Sequence, residues 1–474
     1  MKYLATFIKN NNFYNFCLSE IISVCDICNI KNFVYNKDTF SYDIQKEPYI
    51  EISFDGIDNP EICQRLIDRA TLLKSIIKIY GTGDTMDEVI NYIEKNNIEE
   101  FKKEEESLDT FRFDIDFRGL SEKREKELEM INKFKKFNFK AKVNINNAKR
   151  IFIIFRNVIE DQKTKQILST KYYFGKQMAA KDEKKLRFYT KYNLTSRKYI
   201  GPTATDHLLS FLMANFAQIK EGQIVIDPFV GTGSLLIPPS HFKAVCFGCD
   251  LDVRVLRGYS VGYTRKNEKD KTPQKKQGNI FSNFDDYGFP RPQIIRQDIN
   301  KPAFRKNNLL FDAIICDPPY GWRAGVRKTG LSNAKKEKRE KRLEQKRKNK
   351  KNKNDINIED EKEENEIINE IINDNEDRDY NYVVANGEKK MFLPTSHTTV
   401  NNIFEGLINF SKDNLKVGGF LVCLFPVRKE KEEEDLVDHP INFPMDSQFK
   451  LIHACENVNS RLRSRWCLTY KKIA

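Results

Sequence analysis

The sequence predicts an α/β fold from about residue 190 onward, a doubly wound and mostly parallel sheet, preceded by a separate α+β module over residues 1–185. After residue 190, short runs rich in Val, Ile and Phe alternate with segments of helical apolar spacing. This alternation is typical of strands that are buried on both faces between helices. The first 185 residues instead mix strand-like and helix-like segments without that regular order.

The N-terminal module contains four strand-like segments and one long helix-like segment. The strand-like segments are YLATFI, YIEISF, FRFDIDFRG and RIFIIFR. The apolar spacing over Glu61–Ile79 predicts a helix. Cys25 and Cys28 form a lone pair without a second pair or clustered histidines, so we expect no zinc site there.

The α/β domain is expected to begin with a helix and to contain at least five strands. Residues Asp206–Ile219 place their large apolar side chains on one face behind a Thr205/Asp206 start, which predicts a helix. The strands are predicted at Gln223–Asp227, Ala244–Gly248, Gln293–Arg296, Phe311–Cys316 and Gly419–Phe425. Cys246 and Cys249 would point to opposite faces of the second strand, so we interpret them as core residues.

Residues 450–472 predict a terminal β-hairpin, and residues 328–390 predict an insertion within the α/β domain. The insertion is low-complexity Lys, Asn and Glu sequence that follows DPPYGWRAG directly. Such a composition buries too little apolar surface to offset the entropy of ordering it. An expanded surface loop is the favoured interpretation, although its basic half could also attract RNA.

Composition and charge limit the class of protein. The chain has 474 residues, of which 39% are hydrophobic, and no apolar run is long enough to cross a membrane. Lys and Arg number 81 against 68 Asp and Glu. Two blocks of opposite sign, residues 327–354 and 355–379, nearly cancel, so the basic excess belongs to the folded parts. A basic body favours a nucleic acid as partner, although it can also serve solubility alone.

Ten cysteines without dense spacing predict a reduced protein. The N-terminus has neither the features of a secretory signal nor those of a transit peptide. We therefore expect a cytoplasmic location.

A glycine pair follows the first strand of the α/β domain. The segment is Asp227-Pro228-Phe229-Val230-Gly231-Thr232-Gly233-Ser234. Glycine lacks the Cβ that would collide with a ligand lying against backbone amides, so Gly231 and Gly233 predict the close approach of a ligand. Asp227 could merely cap the next helix, but its place at the strand end favours contact with the ligand.

Three more acidic segments end the following strands. Of Asp250 and Asp252, which follow the second strand, the geometry of a strand end favours Asp250 as the residue that holds two ribose hydroxyls. Asp298 follows the third strand, where it could accept from an adenine amino group or be an ordinary loop acid. Asp317 follows the fourth strand and begins the segment Asp317-Pro318-Pro319-Tyr320.

The segment Asp317–Tyr320 suits methylation of an amino group on a base. An exocyclic nitrogen is a poor nucleophile because its lone pair is delocalised into the ring. The Asp317 carboxylate and the Pro318 carbonyl could accept its two N–H bonds, localise the lone pair and aim it at a sulfonium methyl. The proline pair fixes that carbonyl, and Tyr320 offers a ring for stacking an extruded base. We expect no cationic side chain nearby, because the methyl donor is itself positively charged. An ordinary Asp-Pro turn is the alternative for Asp317.

The segments GPTATDHLLSFLMANFAQ, IDPFVGTGSLL, GCDLD and DPPYGWRAG occur in this order, with RATLLKSIIKIYGTG in the N-terminal part and ENVNSRLRSRWCLTY near the end. This set resembles the catalytic subunit of the eukaryotic tRNA (guanine(10)-N2)-methyltransferases. The resemblance implies a Rossmann-like class I methyltransferase domain with a seven-stranded, mostly parallel sheet over residues 190–474. It also implies a ferredoxin-like plus THUMP module that grips tRNA over residues 1–185.

The resemblance implies a reaction and partners as well. The cofactor would be S-adenosylmethionine, the target N2 of guanosine at position 10 of tRNA, and the partner a small zinc-binding activator subunit, so that this chain need hold no metal. The residues that bind S-adenosylmethionine would be Asp227, Phe229, Gly231, Gly233, Ser234, Asp250 and Asp298. The catalytic residues would be Asp317, Pro318, Pro319 and Tyr320.

Two other functions fit part of the sequence. An adenine-N6 methyltransferase shares the DPPY segment, but the target-recognition domain of the DNA enzymes is not evident here. A non-catalytic RNA-binding protein would have no reason to keep the complete set of acids and glycines.

Two local features complete the expectations. Pro238 and Pro239 predict that the helix after the glycine pair is short or kinked, because proline removes a helical hydrogen bond. Arg461, Arg463 and Arg465 alternate as on one strand face. They are therefore candidates for RNA contacts or for a solvated face.

Overall fold

The computed structural model divides the chain into two compact units. Unit 1 comprises residues 1–189 with residues 455–458, and unit 2 comprises residues 190–454 and 459–474. The structure describes residues 2–319, 327–329, 337, 341, 381–428 and 443–474, except for positions 9, 11, 38–48, 119–122, 162, 163, 165, 183–186, 202, 259–262, 265–277, 386, 387, 393, 394, 461 and 462. Within these residues, no helix is both long enough and apolar enough to span a membrane.

Unit 1 is built on one seven-stranded sheet. Its strands are β1 (Lys2–Phe7), β2 (Val34–Tyr35), β3 (Tyr49–Ser53), β4 (Leu73–Gly83), β5 (Phe111–Arg118), β6 (Arg150–Glu160) and β7 (Ile167–Ala180). Its helices are α1 (Cys17–Ile27), α2 (Pro60–Arg69), α3 (Met86–Tyr92), α4 (Ile98–Glu106) and α5 (Arg124–Asn132). The strand order is β2-β3-β1-β4-β7-β6-β5, in which β5 and β6 are parallel and the other neighbours antiparallel.

A phenylalanine-rich core lies between this sheet and helices α3 and α4. Phe101 of α4 contacts Phe152 of β6 and Phe174 of β7 edge to face, and all three are fully buried. Edge-to-face rings add specific attraction to the burial of apolar area. The aromatic residues of the N-terminal module therefore form its own hydrophobic core.

The helix expected over Glu61–Ile79 is wrong in its second half. Helix α2 ends at Arg69, Ala70 takes an extended backbone conformation, and β4 follows from Leu73. Strand β4 lies between β1 and β7 and is buried along most of its length. Its β-branched isoleucines suit a strand, whereas their apolar spacing alone also fits a helix.

Unit 2 contains a second seven-stranded sheet. The strands of that sheet are β9 (Ile224–Asp227), β10 (Val245–Asp250), β12 (Gln293–Arg296), β13 (Phe311–Cys316), β18 (Leu415–Arg428), β19 (Phe449–Ser460) and β20 (Arg463–Lys472). Short pairs are β8 (Tyr199–Ile200) with β11 (Tyr263–Thr264), β14 (Arg327–Thr329) with β17 (Thr395–His397), and β15 (Asn381–Ala385) with β16 (Glu388–Phe392). The helices are α6 (His207–Phe216), α7 (Ile237–His241), α8 (Val253–Arg257), α9 (Phe281–Tyr287) and α10 (Val400–Asn414).

The sheet order is β12-β10-β9-β13-β18-β20-β19, which is 3-2-1-4-5-7-6 when its strands are numbered along the chain. The pairs from β12 to β18 are parallel, and β20 runs antiparallel to β18. Helix α10 covers one face with Ile403, Leu407 and Phe410, which join the same core as residues of β13 and β18. The expected seven-stranded, mostly parallel class I methyltransferase fold is therefore confirmed.

Most of the elements expected in this unit occur close to their expected bounds. Strands β12 and β13 have the bounds predicted from the sequence, and β18 is longer than predicted. Asp206 caps helix α6 by accepting from the N–H groups of Leu208 and Leu209. Cys246 and Cys249 are buried, as their places in β10 predicted.

The helix after the glycine pair and the insertion are the two irregular features expected in this unit. Helix α7, which begins around Pro238 and Pro239, has only five residues after a 3₁₀ turn at Ser234–Leu236, so the predicted short helix is confirmed. Of the insertion expected over residues 328–390, the structure describes the two ends. At its start, β14 pairs with β17, which lies just beyond the insertion. Near its end, β15 and β16 form a hairpin that precedes β17 in the sequence. Apart from positions 337 and 341, residues 330–380 lie outside the described part.

Candidate active site

The strand order of the second sheet reverses between β9 and β13, and two predicted site residues lie there. Asp227 is the last residue of β9, and Asp317 directly follows β13. In open parallel sheets, ligands bind outside the carboxyl ends of the strands at such a switch point. The fold therefore brings the first and the last acid of the predicted set to the carboxyl ends of two neighbouring parallel strands.

Asp227 is almost completely buried. Its Oδ1 accepts a hydrogen bond from the N–H of Phe229 at 2.9 Å. Burial raises the pKa of the Asp227 carboxyl well above its usual range, and the negative charges of Asp250 and Asp317 add to that shift. Phe229, which is half-buried, packs against the core under the sheet, so the start of the loop is fixed on both sides.

The two glycines of the loop meet different requirements. Both have left-handed backbone conformations, with φ values of 51° at Gly231 and 85° at Gly233. A methyl group on Gly233 would lie 3.1 Å from the Phe284 ring and 3.2 Å from Ile280, so this position is closed by the protein itself. Among the described residues, a methyl group on Gly231 would have only the carbonyl oxygen of Phe229 within 4 Å, at 3.9 Å. With respect to this part of the chain, Gly231 therefore borders open space, where a ligand can approach the backbone.

Ser234 is held by an arginine that the sequence analysis missed. Arg197 is buried and donates from Nη1 to Ser234 Oγ at 2.6 Å and from Nε to the carbonyl of Tyr192 at 3.2 Å. The Ser234 hydroxyl thus fastens the glycine loop to the segment before α6. A lone arginine upstream of GPTATD gave no signal of this contact.

Asp250 is linked to the glycine loop through backbone N–H groups. Its Oδ2 accepts from the N–H of Gly231 at 2.9 Å and its Oδ1 from that of Asp252 at 2.8 Å. Burial raises the pKa of Asp250 to about 6, although these hydrogen bonds act in the opposite direction. Asp252 instead caps α8 and forms an ion pair with Arg254. Of the two acids at this strand end, Asp250 is thus bonded to the glycine loop and Asp252 to the start of α8.

Asp298 lies in a buried turn after β12. Its Oδ1 accepts from the N–H of Asn300 at 3.0 Å. The preceding residue, Gln297, donates its N–H to the carbonyl of Asp250 at 3.1 Å. The turn is therefore joined to the end of β10, and the acids that end three neighbouring strands share one edge of the sheet.

Two of the side chains that contact Asp317 come from different parts of unit 2. Its Oδ2 accepts from the Thr205 hydroxyl, which lies just before α6, and from Nη1 of Arg465 in β20, both at 3.2 Å. Pro318 is buried and Pro319 half-buried, whereas Tyr320 lies outside the described residues. The segment after β13 is thus anchored at its acidic residue.

The expectation that no cation stands near this segment is wrong, because Arg465 forms an ion pair with Asp317. The opposite charges of the pair cancel, so the pair as a whole does not repel a positively charged donor. Arg465 is also neither on a solvated face nor available to RNA, since its side chain is only 8% exposed. Arg461 lies outside the described residues, and only the backbone of Arg463 is described.

The signal that could have found Thr205 and Arg465 was weak. Thr205 belongs to the GPTATD segment, where its position indicates only the start of a helix. Gly201, from the same segment, approaches the glycine loop so closely that a methyl group there would lie 2.9 Å from Thr232. Arg465 is one of four basic residues in β20, a composition that also fits an edge strand.

Within the described part of the chain, no group of three or more His, Cys, Asp or Glu side chains is arranged to hold a metal ion. Cys25 lies inside α1, and Cys28 caps the end of that helix.

Comparison with known proteins extends the sequence and fold observations. The family model of the Tmrp11 THUMP N-terminal domain matches residues 1–183. A tRNA (guanine(10)-N(2))-methyltransferase from Xenopus laevis is 29% identical over 427 residues, covering 88% of this chain and 75% of the relative. The enzyme of that name from Saccharomyces cerevisiae is 27% identical over 460 residues, covering 96% and 89%. The crystal structure of TrmN from Thermus thermophilus spans both chains completely at 11% identity with a TM-score of 0.37.

A sheet of order 3-2-1-4-5-7-6 with acids and a glycine loop at its switch point defines a class I methyltransferase domain, which here follows an N-terminal unit matched by a THUMP model. The chain is therefore an enzyme of the methyltransferase class. In particular, it is a homologue of the tRNA (guanine(10)-N(2))-methyltransferases along most of its length, so the resemblance drawn from the motifs is confirmed.

Proposed function

We propose that this chain transfers a methyl group from S-adenosylmethionine to N2 of guanosine at position 10 of tRNA. The observation that carries the proposal is the segment Asp317-Pro318-Pro319 at the switch point of the sheet, with Asp227 at the end of the neighbouring strand. Relatives that match 88% and 96% of the chain are named for this reaction, which supports guanosine 10 as the target.

S-adenosylmethionine fits the residues at the edge of the sheet. The open side of Gly231 leaves room for a ligand against the loop, where a side chain would protrude. The Asp250 carboxylate can accept ribose hydroxyls in addition to its two backbone donors, because a carboxylate has about four acceptor positions. Asp298 is suited to accept from the adenine amino group. When bound, the cofactor supplies a methyl group on a positively charged sulfur.

The residues after β13 would prepare the target nitrogen. The Asp317 carboxylate and the Pro318 carbonyl would accept the two N–H bonds of the amino group, which localises its lone pair on one side of the base. The proline pair removes rotational freedom around that carbonyl. The anchoring of Asp317 by Thr205 and Arg465 supports this role, since an acceptor must hold its direction through the reaction.

Unit 1 would grip the tRNA, and the enzyme would act as the catalytic subunit of a complex with a small zinc-binding activator. The THUMP match over residues 1–183 and the excess of basic residues outside the insertion support the tRNA contact. The activator rests on the resemblance alone. A cytoplasmic location is supported by the ten cysteines, none of which forms a disulfide.

The test is mass spectrometry of tRNA nucleosides after incubation with the chain, S-adenosylmethionine and the candidate activator. N2-methylguanosine at position 10 is the expected product. N6-methyladenosine would instead identify an adenine methyltransferase. Absence of any methylated product, in a preparation that binds tRNA, would identify a non-catalytic RNA-binding protein.

A further inference from the structure

Arg465 lies where an arginine is costly. It belongs to β20, which pairs with β18 on one side, and Arg465 is only 6% exposed. Removing a guanidinium from water costs several kcal/mol unless an opposite charge and hydrogen bonds compensate. Its ion pair with Asp317, in which the Asp317 side chain is 14% exposed, supplies that compensation. The two residues are 148 positions apart in the sequence, so the contact is made only by the tertiary fold.

Two side-chain donors to Asp317 among the described residues reach the same oxygen. The Thr205 hydroxyl and Nη1 of Arg465 each donate to Oδ2 at 3.2 Å. Thr205 is buried and stands next to Asp206, whose carboxylate caps α6, so its position is fixed by the start of that helix. Arg465 is fixed by the ladder between β20 and β18. A carboxylate held at one oxygen by two fixed donors loses both contacts when it turns about its Cβ–Cγ bond, unless a half turn exchanges its two equivalent oxygens.

The charge of Arg465 matters as well as its geometry. The negative charges of Asp250 and Asp317 lie close enough to Asp227 to add to the rise in the pKa of its carboxyl that burial causes. The guanidinium supplies a positive charge at this acidic edge of the sheet. Without it, a largely buried carboxylate would remain next to other acids.

We propose that Arg465 is a positioning residue for methyl transfer, which holds the Asp317 carboxylate in the orientation that accepts an N–H of the target amino group. Thr205 holds the same oxygen from the opposite element and shares this role. The inference rests on the proposed function, in which Asp317 contacts the target amine. Arg465 itself contacts neither the base nor the methyl donor.

The test compares Arg465→Met with Arg465→Lys in the full chain with its candidate activator. Methionine keeps an unbranched apolar side chain but removes the charge and the donors. The rate of methyl transfer at saturating S-adenosylmethionine and tRNA is expected to fall about tenfold to a hundredfold, because an oriented acceptor is lost. The Kd values for S-adenosylmethionine and for tRNA are expected to stay within about threefold. Lysine should restore part of the rate, since it can still donate to Oδ2.

Two further variants keep the test decisive if Arg465→Met folds poorly. Thr205→Val removes the hydroxyl that also donates to Oδ2, and it should lower the rate without changing either Kd. Lys416→Met removes an ion pair of 2.7 Å between β18 and Asp312, which lies at the other end of β13 from Asp317. This control should keep the wild-type rate.

The possible outcomes separate the two proposals. Wild-type chain that makes no methylated nucleoside contradicts the proposed function itself. Wild-type activity together with an unchanged rate in both Arg465→Met and Thr205→Val overturns only the positioning role. A rise in the tRNA Kd that equals the loss of rate also overturns it, because Arg465 would then contact RNA.

Discussion

Alanine at Gly231 tests whether the loop after β9 is the surface against which the cofactor lies. The φ of 51° costs alanine about 1 kcal/mol relative to glycine. Of the residues that the structure describes, the new methyl group would have only the Phe229 carbonyl oxygen nearby, so they accommodate it. We expect the melting temperature of unit 2 to fall by only about 2–4 °C. The methyl group would occupy space expected for the cofactor, so the Kd for S-adenosylmethionine should rise about tenfold or more, which is about 1.4 kcal/mol of binding energy.

Two other glycines provide matched comparisons. Gly222, near the other end of β9, has a φ of 79°, and no atom of the described residues lies within 4 Å of an added methyl group. Gly222→Ala should therefore cost the same backbone strain without changing cofactor binding. Gly233→Ala adds contacts of 3.1 and 3.2 Å with Phe284 and Ile280 to its strain. An overpacking cost of about 1–3 kcal/mol, added to about 1 kcal/mol of backbone strain, predicts a fall in melting temperature of roughly 4–16 °C.

Isothermal titration calorimetry with S-adenosylmethionine and thermal unfolding of the three variants measure these effects. The reasoning is refuted if Gly231→Ala and Gly222→Ala bind S-adenosylmethionine with the same Kd. It is equally refuted if Gly231→Ala is as unstable as Gly233→Ala. Protein atoms would then occupy the space beside Gly231 that the cofactor is expected to fill.

Three other variants or conditions follow from the site. Asp317→Ala should abolish methyl transfer and leave the Kd values for S-adenosylmethionine and tRNA within a few-fold, as measured by single-turnover kinetics and titration; an equal loss of cofactor affinity would contradict the assigned role. Burial raises the pKa of Asp250 to about 6, so its carboxylate gains a proton as the pH falls through that value. Cofactor affinity should then drop to roughly a tenth at pH 5, and Asp250→Asn should remove this pH dependence. Removal of residues 330–380, which spares β14 and the β15–β16 hairpin, should preserve the rate; a lower tRNA affinity with a weaker salt dependence would show that the basic block binds phosphate.

The same raised pKa has a consequence for stability. A carboxyl whose pKa is higher in the folded chain than in the unfolded chain stabilises the fold most when it is protonated, below about pH 4. That contribution is lost as the pH rises through about 6. Asp250→Asn should therefore raise the free energy of unfolding above that of the wild type, and this increase should be larger at pH 7 than at pH 5, as measured by denaturant unfolding at the two pH values.

The sequence by itself determined the features that depend on short stretches of chain. The bounds of β12 and β13, the cap of α6 at Asp206 and the short helix α7 all follow from local backbone chemistry. The order of acids at successive strand ends was also visible, because parallel strands joined by helices carry their carboxyl ends to one edge.

Only the tertiary structure decided the features that join distant parts of the chain. Local apolar spacing could not tell the β4 strand from a continuation of α2, since pairing with β1 and β7 is what makes it a strand. It could not show that Gly233 packs against α9 while Gly231 borders open space. Nor could local spacing show that Arg465 contacts Asp317, which lies 148 residues away in the sequence. That contact depends on the position of β20 next to β18 in the sheet.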